Sequence, residues 1–206
     1  VMAVETDMPG LPVSNATAPE YNRALGDVLG FFTAVGWTPV GLEHDGNGDL
    51  YEAALGDSTV YLITTGGATL SSFSVLANTP TPIGVTTDGT SVWVTDTTNL
   101  DVDEYTLTGV YVGSFDVSAN TTFPEGITFK PNTGNLYVVD GAGGNVVIEY
   151  NTNGTLVTTY PINGSSPDGI AYDPIRNSYW IYDSGTDTVT HYDTSFTFLE
   201  AFPGTV

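Results

Sequence analysis

The chain has no cysteine, one lysine, two arginines and two histidines among its 206 residues. Each shortage removes a class of chemistry. Without cysteine there is no disulfide framework and no thiolate to attack a substrate or bind a metal. Three basic residues (Arg23, Lys130 and Arg176) against 24 acids leave no basic patch to neutralise phosphates, which disfavours nucleic acid and anionic membrane as partners. A histidine–cysteine metal cluster, a nucleophile motif and a phosphate-cradling glycine loop are all missing. The longest apolar stretch, around Val28 to Trp37, is too short for a membrane span and is interrupted by glycine, so direct membrane insertion is not expected. No signal peptide is recognisable. Nowhere does a 3.6-residue apolar period persist, so almost no helix is expected.

Acid, threonine and repetition are abundant instead. Sixteen Asp and eight Glu give a net charge of −21, and there are 32 Thr. A compact body with that charge repels itself in ordinary buffer. At molar salt the Debye length falls to about 3 Å and the repulsion is screened. Acidic chains are often disordered, but 12% aromatic content and a strong strand pattern predict a folded, salt-adapted protein. A halophilic source and an extracellular or virion-surface location in high salt are the expectation. Four Asn-x-Ser/Thr sequons, at Asn15, Asn120, Asn153 and Asn163, agree with an exterior setting.

The repetition fixes the fold class. Gly41, Gly84, Gly126 and Gly169 lie 43, 42 and 43 residues apart. After each come four short runs rich in Val, Ile, Thr and aromatics, punctuated by Gly, Asn, Asp and Pro. That period and strand count predict an all-β chain, a β-propeller of four-stranded antiparallel blades. Tyr51, Trp93, Tyr137 and Trp180 share a place in the second run; Tyr61, Tyr105, Tyr150 and Tyr192 are aligned in the third; Asp96, Asp140 and Asp183 close the second. The aromatics are expected to pack between blades. Residues 1–206 read as one domain, with an incomplete first blade over 1–40 and blades over 41–82, 83–125, 126–168 and 169–206. Pro203–Val206 resembles the start of an inner strand, so the N- and C-terminal strands are expected to complete one blade and close a five-bladed ring, which leaves no exposed sheet edge.

Loops on such a scaffold are where binding is expected. The loops entering the innermost strands and those joining second to third strands share one face; they are variable and rich in Thr, Asn, Ser, Gly and Asp. Candidate ligand residues there are Asp96, Asn99, Asp101, Glu125, Asp140, Asn145, Asp168, Asp183 and Asp187. The recurrent Asp column reads first as turn caps bonding their own backbone, and second as a carboxylate ring that binds a cation or polar ligand at the channel mouth. Asp45, Asn47 and Asp49 have the spacing of the front of a calcium loop. Leu50 stands where that motif needs glycine, its bidentate Glu is missing, and the other copies carry hairpin turns there, so a turn is the first reading and structural Ca²⁺ the second. No other cofactor is expected. His44 ends an inner run, and His191 occupies a column where other copies carry Glu, so a solvated strand position is expected for it rather than a catalytic role.

The Pro-x-Gly-Ile…Leu-Tyr-Val-Val-Asp…Tyr-Asn-x-x-Gly pattern of residues 124–154, repeated over 167–193 and 82–109, resembles NHL-type and related propeller repeats. The same repeat with acidic, Thr-rich loops looks like propeller segments of surface proteins of haloarchaea and their viruses. That resemblance implies binding modules, lactonases and lyases; enzymatic members hold a metal at the channel through Glu, Asn, Asp or His, and no such set maps onto this chain. The expected function is a non-enzymatic binding and assembly module, a spike, turret or fibre component that meets other subunits and recognises a host-surface protein or glycan. The alternative is a metal-dependent propeller enzyme of lactonase or lyase type.

Overall fold

A computed structural model describes residues 33–141 and 144–204. These contain sixteen strands in four sets of four. The first set is β1 Pro39–His44, β2 Asp49–Ala54, β3 Thr59–Thr64 and β4 Thr69–Ser74; the second is β5 Pro82–Thr87, β6 Ser91–Asp96, β7 Asp101–Thr106 and β8 Tyr111–Asp116. The third is β9 Pro124–Lys130, β10 Asn135–Asp140, β11 Val146–Asn151 and β12 Leu156–Pro161; the fourth is β13 Pro167–Asp173, β14 Ser178–Asp183, β15 Thr188–Tyr192 and β16 Phe198–Pro203. Within each set the strands pair antiparallel in chain order. No described residue is helical. The architecture is the expected propeller, with four blades among the described residues.

The first strands of successive blades converge, and this convergence explains the glycine period. A Cβ on Gly41 would lie 2.4 Å from the Ile83 carbonyl oxygen, one on Gly84 2.4 Å from that of Glu125, and one on Gly126 2.7 Å from that of Asp168. Only glycine permits that approach. Gly169 is different: among the described residues a Cβ there would meet nothing nearer than Tyr182 Cβ at 3.9 Å. Blade four thus has no described neighbour crowding it on that side. The residues expected to form the incomplete blade lie mostly outside the described part, as do Thr205 and Val206. Pro203, expected to belong to a closing strand, instead ends β16 opposite Thr188.

Three hydrophobic clusters fill the three junctions between blades. Tyr51 of blade one packs with Val92 and Tyr105 of blade two; Trp93 packs with Leu136 and Tyr150; Tyr137 packs with Tyr179 and Tyr192. The second-run aromatics of blades one to three therefore pack against the following blade, and the third-run tyrosines of blades two to four against the preceding one. This is the expected packing between blades, but Trp180 stacks within its own blade. One alignment needs correcting. In the ladder Leu50 faces Ile63, as Val92 faces Tyr105 and Leu136 faces Tyr150. Ile63, not Tyr61, occupies the tyrosine column of blade one. Tyr61 lies two residues earlier on the same face, where its hydroxyl donates to Asp57 at 2.6 Å. A further column, Phe73, Phe115, Tyr160 and Phe202, supplies the half-buried residue of each otherwise exposed outer strand.

The turn between second and third strands recurs in backbone form although not in sequence. Ser58, Leu100, Asn145 and Asp187 all adopt positive φ, between 46° and 58°. The carbonyl of each accepts an N–H from the end of its blade's fourth strand: Val75, Val117, Ile162 and Gly204 respectively.

Candidate functional site

Two residues past each blade glycine, the inner strands carry Glu43, Thr86, Thr128 and Ala171. Three of these meet on the axis. Glu43 Oε2 accepts hydrogen bonds from Thr86 Oγ1 at 3.3 Å and Thr128 Oγ1 at 3.2 Å, and Oε1 accepts the His44 N–H at 3.2 Å. Each threonine hydroxyl also accepts a backbone N–H from the following blade, Phe129 onto Thr86 at 3.0 Å and Tyr172 onto Thr128 at 3.1 Å. With its lone pair so occupied, each hydroxyl is oriented to give its proton to Glu43. Burial pushes the Glu43 carboxyl up to about 7, against the opposing hydrogen bonds from Thr128, His44 and Thr86.

Glu43 lines a cavity of about 340 Å³ at the end of the channel where the first and second strands of each blade are joined. Leu50, Phe129, Tyr172, Pro174 and Trp180 are among the residues of its wall, with His44, Asp45 and Asp88 toward the turns. His44 Nδ1 accepts the Gly46 N–H at 2.8 Å, which leaves Nε2 as the ring's own N–H. Trp180 is held by a parallel stack on His191, 3.9 Å between centroids, and by Asp173, which accepts its Nε1–H at 3.5 Å. A second cavity of about 60 Å³ runs among the column glycines and reaches Asp168. It has room for about two waters.

The opposite, loop-rich end holds the residues singled out from the sequence. Asp96 Oδ1 accepts the Thr81 hydroxyl at 2.6 Å, the Thr98 N–H at 2.6 Å and the Asn99 N–H at 3.0 Å. Asp140 accepts the Thr121 hydroxyl at 2.8 Å. Asp183 takes the N–H groups of Ser165 and Ser166 on one oxygen, and the N–H and hydroxyl of Thr186 on the other. Burial opposes the Asp183 charge, yet these bonds hold its carboxyl below the ordinary value. Each of the three ties the end of a second strand to the loop entering the same blade. Asn99 Nδ2 donates to the Asn78 carbonyl at 2.8 Å, and Asn145 and Asp187 hold the positive-φ turn position. Asp168 accepts the Ser184 N–H at 2.7 Å. Glu125 is pushed up to about 8 by burial, by the Asp168 charge and its hydrogen bond, and by Asp140.

The structure gathers Asp96 and Asp101 with Asp103, which the sequence reading had not singled out; one carboxylate oxygen from each lies within 4.8 Å of the others. Burial, then the Asp96 and Asp116 charges, push Asp101 up to about 6, and burial pushes Asp103 to about 7. Among the described residues these are the three placed so that they could hold a hard cation. In the calcium-like segment, Asp45 Oδ1 accepts the N–H groups of Asn47 and Asp49 at 2.7 and 2.9 Å, the bonding of a turn. Glu43 escaped the sequence reading although a signal was present. It is the one ionisable residue in a column otherwise Thr, Thr and Ala.

No protein-family model matches the chain, and no curated protein matches it in sequence. Solved structures do resemble it in fold. The glutaminyl cyclase of Myxococcus xanthus is 14% identical with a TM-score of 0.67, over 83% of this chain and 72% of the cyclase. Hydrazine synthase of Kuenenia stuttgartiensis is 16% identical with a TM-score of 0.59, over 86% of this chain and 53% of that one. Virginiamycin B lyase of Staphylococcus aureus is 21% identical with a TM-score of 0.56, over 82% of this chain and 56% of the lyase. The chain thus spans about half the length of the last two. At these identities the likeness carries the propeller fold; it does not bear on the NHL-type or haloarchaeal resemblance. It does correct the expectation of a non-enzymatic module. The shared fold is one that enzymes use, and a sequence short of catalytic motifs does not exclude catalysis on it.

Proposed function

We propose that this chain is a propeller enzyme that acts by proton transfer from Glu43 within the axial cavity. The observation that supports it is a half-buried carboxyl on the axis, held by two inter-blade threonines, whose affinity for a proton sits near neutrality. A general acid or base works best with a pKa close to the working pH. Such a group can donate a proton to a leaving atom, or remove one from a substrate, in a cyclisation or an elimination. Apolar and aromatic walls around a few convergent polar groups are what a small-molecule site requires. The names of the cyclase and the lyase fit reactions of that kind.

The test uses compounds that those names supply, a glutaminyl peptide and virginiamycin B, followed by mass spectrometry with the wild type and Glu43→Gln between about pH 5 and 9. Turnover that falls at least about a hundredfold in Glu43→Gln, with an inflection near pH 7 in the wild type, supports the proposal. Turnover equal in both proteins, or of neither compound, overturns it.

A further inference from the structure

The cavity residues have a sign. Among the described residues three carboxyl groups line it, Glu43 at depth and Asp45 and Asp88 toward the turns, and no lysine or arginine does. Asp88 Oδ1 accepts the Thr90 N–H and hydroxyl and the Ser91 N–H, at 2.8, 2.7 and 2.7 Å. Burial opposes its charge, but these bonds hold its carboxyl below the ordinary value, so it stays negative. His44 adds a donor and no fixed charge. The described arginine, Arg176, is paired with Asp173 at 2.8 Å. Lys130 lies at the blade three–four junction with its ammonium 5.4 to 6.0 Å from the rings of Tyr137, Tyr172 and Tyr179.

The walls bear on the same question. Phe129, Tyr172 and Trp180 line the space, and aromatic faces attract cations through their quadrupole, most strongly where water is excluded. A cleft of one charge sign with low-dielectric walls also focuses the field. A chain of net charge −21 reinforces it at long range. An anion would meet the opposite of every one of these terms. A neutral molecule would gain the apolar contact alone.

We infer that the axial cavity takes an organic cation, a protonated amine carried on an apolar or aromatic body, with the ammonium at Glu43 and the body against Phe129, Tyr172 and Trp180. This rests on the reading of the cavity as the working site and adds the class of molecule to it. The carboxyl at depth then serves twice, as a charge partner for the amine and as the group that exchanges a proton. Binding in the ammonium form favours the ionised carboxylate, so uptake releases a proton near pH 7.

The experiment compares three ligands of one skeleton, 4-phenylbutylamine, 4-phenylbutanol and 4-phenylbutyrate, by titration calorimetry on the full chain at pH 7. The amine is expected to bind at least about tenfold more tightly than the alcohol, and the carboxylate not detectably. Glu43→Gln brings the amine to the level of the alcohol. Asp88→Asn, which keeps the oxygen that holds its turn, weakens the amine about threefold and leaves the alcohol unchanged, and serves if Glu43→Gln does not fold. Repeating the amine titration in buffers of different ionisation enthalpy reads the released proton. Amine and alcohol of equal affinity, or a preference for the carboxylate, overturns the assignment of ligand class while leaving Glu43 as a proton-transfer group. Binding of none of the three overturns both readings.

Discussion

The Asp column at the loop-rich end of the axial channel and Glu43 at the hairpin end use their carboxyl groups differently. At the loop-rich end Asp96, Asp140 and Asp183 each accept hydrogen bonds from the loop that enters their own blade. Their charge is spent on holding turns, and the space beside Asp168 is about 60 Å³. At the hairpin end Asp88 likewise holds a turn, but Glu43, held by two threonine hydroxyls and the His44 N–H, borders a space of about 340 Å³. The four donors on Asp183 hold its carboxyl below the ordinary value. Burial with few donors makes a group that exchanges its proton near neutrality. Glu125, Asp101 and Asp103 at the loop-rich end are also raised by burial, so what sets Glu43 apart is the larger cavity that it borders.

The largest effect that separates the two ends is on activity. Glu43→Gln removes the exchangeable proton and is expected to lower turnover by at least about a hundredfold with little loss of stability at pH 7, because the amide still accepts the threonine hydroxyls. Asp183→Ala reverses that pattern. Four donors lose their acceptor, two of them on the loop that enters blade four, and unfolding in urea should show a loss of about 2 to 4 kcal/mol with ligand affinity at the hairpin end unchanged. If Asp183→Ala abolishes amine binding and Glu43→Gln does not, the assignment of the two ends is reversed.

A smaller effect concerns pH. Glu43, Asp101, Asp103 and Glu125 all have folded-state values raised by burial, to about 7, 6, 7 and 8. A carboxyl raised on folding binds more protons in the native state, so its stabilisation is full below the unfolded value and is lost as pH rises through the folded one. Asp88, Asp173 and Asp183 are shifted down, and their stabilisation is lost as pH falls below about 4. The melting temperature should therefore peak in mild acid and decline from about pH 5 to 8. Glu43→Gln should soften that decline, and a maximum above pH 8 would contradict the shifts. Salt gives the least specific effect: screening of the −21 charge should raise the melting temperature steeply toward molar NaCl. The smallest concerns Thr128→Val, which removes one donor to Glu43 and should move the inflection of the pH–rate profile upward by about half a unit.

The fold was legible because its cause repeats. Inner strands approach so closely that Gly41, Gly84 and Gly126 cannot carry a Cβ, and that demand recurs once per blade in the sequence. Interdigitating aromatics give the second column for the same reason. Register was legible only where the column residue itself recurred. Blade one has Ile63 where the others have tyrosine, and Tyr61, two residues earlier on the same face, drew the alignment off by two. The Asp column was legible as turn chemistry, since a capping carboxylate obeys local rules. Glu43 was not, because its importance comes from three blades meeting on an axis: Thr86 and Thr128 lie 43 and 85 residues away. Nor could the Asp96, Asp101 and Asp103 grouping be read before β6 and β7 were paired.

The most direct measurement of the central claim is the titration of the Glu43 carboxyl itself, by infrared difference spectroscopy of the protonated carboxyl band with Glu43→Gln as the blank. A band present at pH 6, absent at pH 8 and missing from the variant is the predicted result. A carboxyl that is already ionised at pH 6 would contradict it and remove the proton on which the proposed chemistry depends.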